Sequence, residues 1–260
     1  MMKKPKLTVV GAGIGAVDLL TLQGKKALES ADVVLYDALV NPALLDWAAP
    51  DAVKCFVGKR RGYKAYSQDD INEIIVEYAE NCGHVVRLKG GDPFIFGRGR
   101  EEMLYAAAHG LETAYVAGIS SAIAAAGSIG IPMTYRSVSR SFWVMTATTE
   151  LNELSPEIEL AANIAAKVDM TFVILMGLRR LQEIIALFKA SGKGNLPVAL
   201  VENATLANQQ VIISTVDAIL SRSEVALLNA PAVIVLGEVV RYHTMEQIIE
   251  SLGVVQLERG

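Results

Sequence analysis

The stretch that decides the fold is HVVRLKGGDPFIFGRGREE, His84 to Glu102. His84 to Leu88 is an apolar run of strand length, and the two glycines and the proline that follow end any regular element. From Arg100 the pattern reads as a helix as far as His109. A strand that runs into a glycine break and then into a helix is the building unit of a parallel sheet. The break also leaves backbone groups able to face a ligand.

Working outward, the same unit recurs. Leu7 to Val10 runs into Gly11-Ala-Gly-Ile-Gly15 and a helix over Leu19 to Ser30. Val33 to Tyr36 ends at Asp37, and a helix over about Pro42 to Ala49 leads to a strand at Val53 to Val57. A helix over Asp69 to Asn81 carries an acidic first turn. Thr113 to Val116 enters Gly118-Ile-Ser-Ser121 and an alanine-rich helix. Strand alternating with helix predicts a parallel sheet covered on both faces. Beyond Ile131-Pro132 the pattern changes. Phe142–Thr146, Thr171–Leu175, Pro197–Val201, Gln210–Thr215 and Ala232–Leu236 read as strands, with helices over Glu157–Lys167, Leu178–Ser191 and Val216–Ser221. Their less regular alternation predicts a mixed sheet. The fold class is therefore two α/β domains, residues 1–133 and 134–260, with the boundary around Met133 to Ser139.

Composition sets limits. The chain has 260 residues, 52% of them hydrophobic and 20% charged, which excludes a disordered chain. Two cysteines and three histidines supply neither a disulfide framework nor a zinc site, so Cys55 and Cys82 are expected reduced and buried. Met1 to Lys6 is short and basic without a secretory core, which predicts a cytoplasmic protein. The uncharged stretch Thr113 to Tyr135 is long enough to cross a bilayer, but its glycines, serines and Pro132 predict a buried turn and helix instead. Net charge is −4, yet Lys54, Lys59, Arg60, Arg61 and Lys64 occur with no acid between Ala52 and Gln68. Arg87, Lys89, Arg98, Arg100, Arg136 and Arg140 follow near the glycine turns. This grouping points to a local anionic ligand more than to nucleic acid, with solvated loop charges as the plain alternative.

Gly11-x-Gly-x-Gly15 after a first strand, with Asp37 ending the second, leaves a nicotinamide oxidoreductase open, although its spacing is not G-x-G-x-x-G. Three further turns, Gly90-Gly91-Asp92, Gly118-Ile-Ser120-Ser121 and Met176-Gly177-Leu178, also follow strands. Ligands of open parallel sheets bind beyond the carboxyl ends of the strands, where such turns converge. Each has a plain structural alternative. Asp92 before Pro93 fits a helix N-cap, Ser120 and Ser121 fit caps, Lys59 fits a solvated lysine, Asp37 fits a strand end and Met176 fits a core residue.

VGAGIGAVDLLTL, VLYDALV, FVGKRRGY, VRLKGGDPFIFGRGREE, GISSAIAAA, IPMTYR, MGL, PVALVENAT and PAVIVLGEVV stand in the order seen in the uroporphyrinogen-III C-methyltransferases of the tetrapyrrole methylase fold, and the chain resembles that family from Lys6 to Val240. RLKGGDPFIFGRG together with FVGKR is specific to the family, whereas the glycine loop and GISS belong to the wider fold. The chain departs from the family pattern at Ile14 and Ala117, where proline is usual, at Ala16 for Asp, at Tyr135 for His, and at Ala147 and Thr148 in place of a Gly-His turn.

The resemblance implies S-adenosylmethionine-dependent methylation of two ring carbons of uroporphyrinogen III, giving precorrin-2 on the way to sirohaem and cobalamin, with S-adenosylhomocysteine as the other product. It implies a cofactor cleft between the domains, lined by Ile14, Gly90, Gly91, Asp92, Ile95, Ser120, Ser121, Met176 and Ala204. By the same resemblance Asp37 matches the general base and Lys59 the general acid. Arg60, Arg61, Lys64, Arg98, Arg100 and Arg136 are candidates for holding the substrate's carboxylates. A homodimer that uses no metal, nucleic acid or membrane is the implied assembly. A sensor that binds cofactor or tetrapyrrole without turnover is the non-enzymatic alternative.

Overall fold

The computed structural model describes residues 4–58 and 66–243, and the chain falls into two compact units, residues 1–121 and 122–260. The division comes in the first turn of the alanine-rich helix, ahead of the change of pattern at residues 133–139. Residues before that change already belong to the second unit: Ser128 Oγ, for instance, donates to Gln209 Oε1 at 3.3 Å.

The first unit holds β1 (Lys6–Gly11), β2 (Val33–Tyr36), β3 (Val53–Phe56), β4 (His84–Lys89) and β5 (Glu112–Val116), in the order β3-β2-β4-β1-β5. All neighbours are parallel, so every carboxyl end lies along one edge. α1 (Leu22–Glu29) and a 3₁₀ helix (Pro42–Trp47) cover one face, packing Leu28 and Leu44 on Val10, Val34, Val86 and Leu88. α2 (Gln68–Cys82) and α3 (Gly99–Ala108) cover the other, setting Ile75 and Met103 on Leu7, Val9, Val33 and Val85. Burial on both faces is why the inner strands β1, β2 and β4 are largely apolar, while the edge strands β3 and β5 are partly exposed.

Local chemistry sets the helix ends. α1 starts at Leu22 and not at Leu19, because Thr21 Oγ1 accepts from Gly24 N at 3.0 Å and caps it there; Val17–Leu19 is a separate 3₁₀ turn. α2 opens on a capping box in which Ser67 and Asp70 each accept from the other's backbone N–H. The helix expected over Pro42 to Ala49 is 3₁₀ throughout. Both cysteines are free thiols, half-buried where full burial was expected.

The second unit opens within α4 (Ser121–Gly127) and holds β6 (Phe142–Thr146), β7 (Thr171–Leu175), β8 (Pro197–Glu202), β9 (Gln210–Thr215) and β10 (Ala232–Leu236). Their order is β6-β7-β10-β8-β9, with β6 parallel to β7 and β10 antiparallel to both β7 and β8, which is the mixed sheet expected. α5 (Pro156–Ala165) and α6 (Leu181–Ala190) enclose a core where the rings of Phe172 and Phe188 meet edge to face at 5.7 Å. The helix expected over Val216 to Ser221 reduces to one 3₁₀ turn, Ile219–Ser221. Among the described residues no helix is long and apolar enough to cross a membrane.

Candidate active site

In the first unit the glycine turns after β1, β4 and β5 touch one another. Gly91 N donates to Gly13 O at 2.7 Å and Gly13 N returns the bond to Gly91 O at 3.3 Å, so the loops beyond the two central strands are laced backbone to backbone. A Cβ on Gly118 would fall on Gly91 O and stand 2.6 Å from Gly11 Cα, so this meeting point admits no side chain. Gly91 itself, at φ +67, has nothing within 4 Å of where a Cβ would stand. The result is a bare backbone edge facing open space, the surface that a ligand approached through main-chain groups requires. Asn41 steadies the first loop by donating from Nδ2 to Gly15 O at 2.7 Å.

Asp92 joins the second and third turns. Its Oδ1 accepts from Phe94 N at 2.8 Å, while Oδ2 accepts from the Tyr115 hydroxyl at 2.6 Å and from Gly118 N at 3.0 Å. No helix starts at Asp92, since α3 begins only at Gly99, so the carboxylate closes a turn instead of capping a helix. Phe94 stacks on Tyr115 with ring centroids 4.0 Å apart. Burial first and the Asp92 hydrogen bond second push the Tyr115 phenol up to about 12.

Asp37 stands at the end of β2, its side chain 23% exposed, with Oδ1 accepting from Leu39 N at 3.1 Å and Oδ2 lying 3.8 Å from Arg87 Nη2. Arg87 and Lys89 alternate along β4 onto the face under α3, where both reach Glu102 Oε1, from Nε at 3.3 Å and from Nζ at 2.8 Å. The two cations do not wait for an anionic ligand, as their place in the sequence suggested: both are buried and paired. Burial, and then the charge of Arg87, pull the Lys89 amine below its ordinary value against the pull of Glu102.

In the second unit the ends of β7 and β8 lie on one edge of the sheet, because both strands run antiparallel to β10 between them. At that edge Met176, Asn203 and Thr205 hold positive φ angles of 57, 49 and 68. Left-handed backbone is costly for a side chain branched at Cβ such as Thr205, and strain of this kind gathers at ligand sites. Ala204 lies buried between two of these residues, and Met176 is half exposed.

The remaining candidates divide clearly. Ile14, Ser120 and Ser121 are half-buried on the glycine turns, and Ile95, whose N–H donates to Asp92 O at 3.2 Å, is exposed. Arg98 is exposed and paired with Glu101. Arg100 and Arg136 are exposed. Lys59, Arg60, Arg61 and Lys64 lie outside the described residues. Tyr115, Glu102 and Asn41 were not marked by the sequence.

Residues 6–220 match the model of the family described as Tetrapyrrole (Corrin/Porphyrin) Methylases. The chain is 41% identical over 237 residues to a uroporphyrinogen-III C-methyltransferase of Methanocaldococcus jannaschii, which covers 90% of this chain and 96% of that one. It is 43% identical to an enzyme of the same name from Pseudomonas aeruginosa, across 91% and 94% of the two chains. Its structure is similar to the crystal structure of a uroporphyrin-III C-methyl transferase from Thermus thermophilus complexed with S-adenyl homocysteine, with a TM-score of 0.74 and 33% identity over 91% of this chain and 99% of that one. A cobalt precorrin-4 methyltransferase shares the fold at a TM-score of 0.79 and 23% identity. A parallel and a mixed sheet, laced glycine turns and a match across most of the length lead to one conclusion: the chain belongs to the tetrapyrrole methylase family.

Proposed function

We propose that the protein is an S-adenosylmethionine-dependent uroporphyrinogen-III C-methyltransferase that methylates two ring carbons and forms precorrin-2. The observation that carries the reading is the bare backbone edge at Gly91, beside the fixed Asp92 carboxylate, in a chain about 40% identical to enzymes of that name. The residues fit the cofactor: the open space at Gly91 lets a ligand lie against the main chain, where a Cβ would stand in its way. Ile14, Gly90, Gly91, Asp92, Ile95, Ser120 and Ser121 of the first unit, and Met176 and Ala204 of the second, are the residues we assign to holding it. S-adenosylmethionine supplies an electrophilic methyl group when bound.

A reduced pyrrole carbon is nucleophilic enough to take that methyl group directly, so the protein's work is alignment and exclusion of water. Asp37 receives the proton that the methylated macrocycle must shed, with Arg87 3.8 Å from its carboxylate to steady the anion. Lys59 acts as the acid. Arg60, Arg61, Lys64, Arg98, Arg100 and Arg136 bind the substrate's carboxylates. The enzyme works as a cytoplasmic homodimer.

The test is anaerobic incubation with uroporphyrinogen III and S-adenosylmethionine, read by mass spectrometry of the tetrapyrrole. A gain of two methyl groups supports the reading. No gain, with S-adenosylhomocysteine still bound tightly, overturns the acceptor and leaves the cofactor.

A further inference from the structure

Glu102 lies in the first turn of α3 with its side chain shut off from solvent. One oxygen, Oε1, serves three donors: Lys89 Nζ at 2.8 Å, Gln68 Nε2 at 3.2 Å and Arg87 Nε at 3.3 Å. Its other oxygen, Oε2, is buried with no hydrogen-bond partner among the described residues. A buried carboxylate with an idle oxygen is a poor stabiliser, and apolar side chains of similar volume often serve stability better. What this carboxylate achieves is direction. Arg87 is held at Nε by Glu102 and at Nη1 by the carbonyl oxygens of Leu88 at 3.1 Å and Leu35 at 3.5 Å. The remaining nitrogen, Nη2, is thereby left facing Asp37 Oδ2 at 3.8 Å. A planar guanidinium tied at two nitrogens cannot turn its third.

We propose that Glu102 is a positioning residue for methyl transfer, acting through Arg87, which it aims at the Asp37 carboxylate. The proposal rests on the reading of Asp37 as the proton acceptor. Lys89 is the second cation on the same oxygen, so a single change at Glu102 would strand a buried amine as well as release Arg87.

Two double variants separate these effects. Glu102→Gln/Lys89→Met and Glu102→Ala/Lys89→Met have the same charge content, but only the first keeps a carbonyl oxygen to accept from Arg87 Nε. The Ala form should turn over about ten-fold more slowly than the Gln form, since misplacement of a catalytic group acts on kcat, with KM and S-adenosylhomocysteine affinity equal within about two-fold. Nitrogen-15 spectra of labelled arginine give a reading independent of turnover: the Arg87 Nε–H signal should exchange slowly in the Gln form and be lost in the Ala form. Equal kcat in the two forms, or the same Arg87 signal in both, would overturn the proposal. Undiminished turnover in a separate Asp37→Asn variant would remove the base reading and the proposal with it. Slow Asp37→Asn beside equal double variants would remove the proposal alone.

Discussion

The Tyr115 hydroxyl donates to Asp92 Oδ2 at 2.6 Å, and the same oxygen accepts from Gly118 N, so one carboxylate fixes the turn after β4 to the strand and turn of β5. The turns assigned to the cofactor are thus shaped by a side chain whose own oxygens are turned inward. In the proposed site Asp92 helps to hold the cofactor by organising that edge.

Removal of the hydroxyl should loosen that edge. Tyr115→Phe keeps the stacking on Phe94 and deletes a hydrogen bond to a charged acceptor, costing about 1–3 kcal/mol of stability. The expected result is a lower Tm and several-fold weaker S-adenosylhomocysteine binding by calorimetry. Unchanged affinity would show that the two turns hold their shape without the link.

Tyr115 also predicts an alkaline response. Its phenol titrates at about 12 in the folded chain against an ordinary value of 10. Between those values the unfolded chain has lost the proton while the folded chain keeps it, so the contribution is complete below pH 10 and declines as pH rises toward 12. Stability measured by denaturant across that range should fall more steeply in the wild type than in Tyr115→Phe. Parallel curves would show that another group sets the alkaline limit.

How much of this was legible in the sequence depends on how far apart the partners lie. The inner strands were legible because burial on both faces makes them largely apolar, as at Val33–Tyr36, which the structure reproduces to the residue. The glycine turns were legible because they interrupt those runs. Glu102 was not, since its partners Arg87 and Lys89 lie on another element, and alternation along a strand does not tell whether a cation meets solvent or a buried carboxylate. Nor was Tyr115, whose link to Asp92 spans 23 positions. Helix ends drifted where a single cap decided them, as Thr21 does for α1.

The two glycine positions should separate strain from collision. Gly91→Ala meets no atom within 4 Å, so it carries only the left-handed backbone penalty, about 1–2 kcal/mol, yet its methyl group occupies the space assigned to the ligand. Gly118→Ala puts its methyl group onto Gly91 O and forces two turns apart. We expect Gly91→Ala to fold with Tm lowered by a few degrees and S-adenosylhomocysteine affinity reduced at least about ten-fold, and Gly118→Ala to lose far more stability. If Gly91→Ala binds as the wild type does, the bare edge is not where the cofactor lies.

The sharpest division of roles is between Asp37 and Asp92. Asp92→Asn replaces one of two accepting oxygens by a donor where three N–H or O–H groups already point inward, so at least one of Phe94 N, Gly118 N and the Tyr115 hydroxyl must lose its partner or turn away. The change should act on binding, raising the dissociation constant for S-adenosylhomocysteine about ten-fold or more. Asp37→Asn leaves Leu39 N an acceptor and touches none of the glycine turns. It should bind as the wild type does and lower kcat by about 10²–10⁴, the usual contribution of a positioned acid or base. Calorimetry and anaerobic turnover on the same two preparations decide the matter. Loss of binding in Asp37→Asn with normal binding in Asp92→Asn would reverse the assignment, because of the two carboxylates it is Asp92 that is bonded to the turns of the proposed cofactor edge.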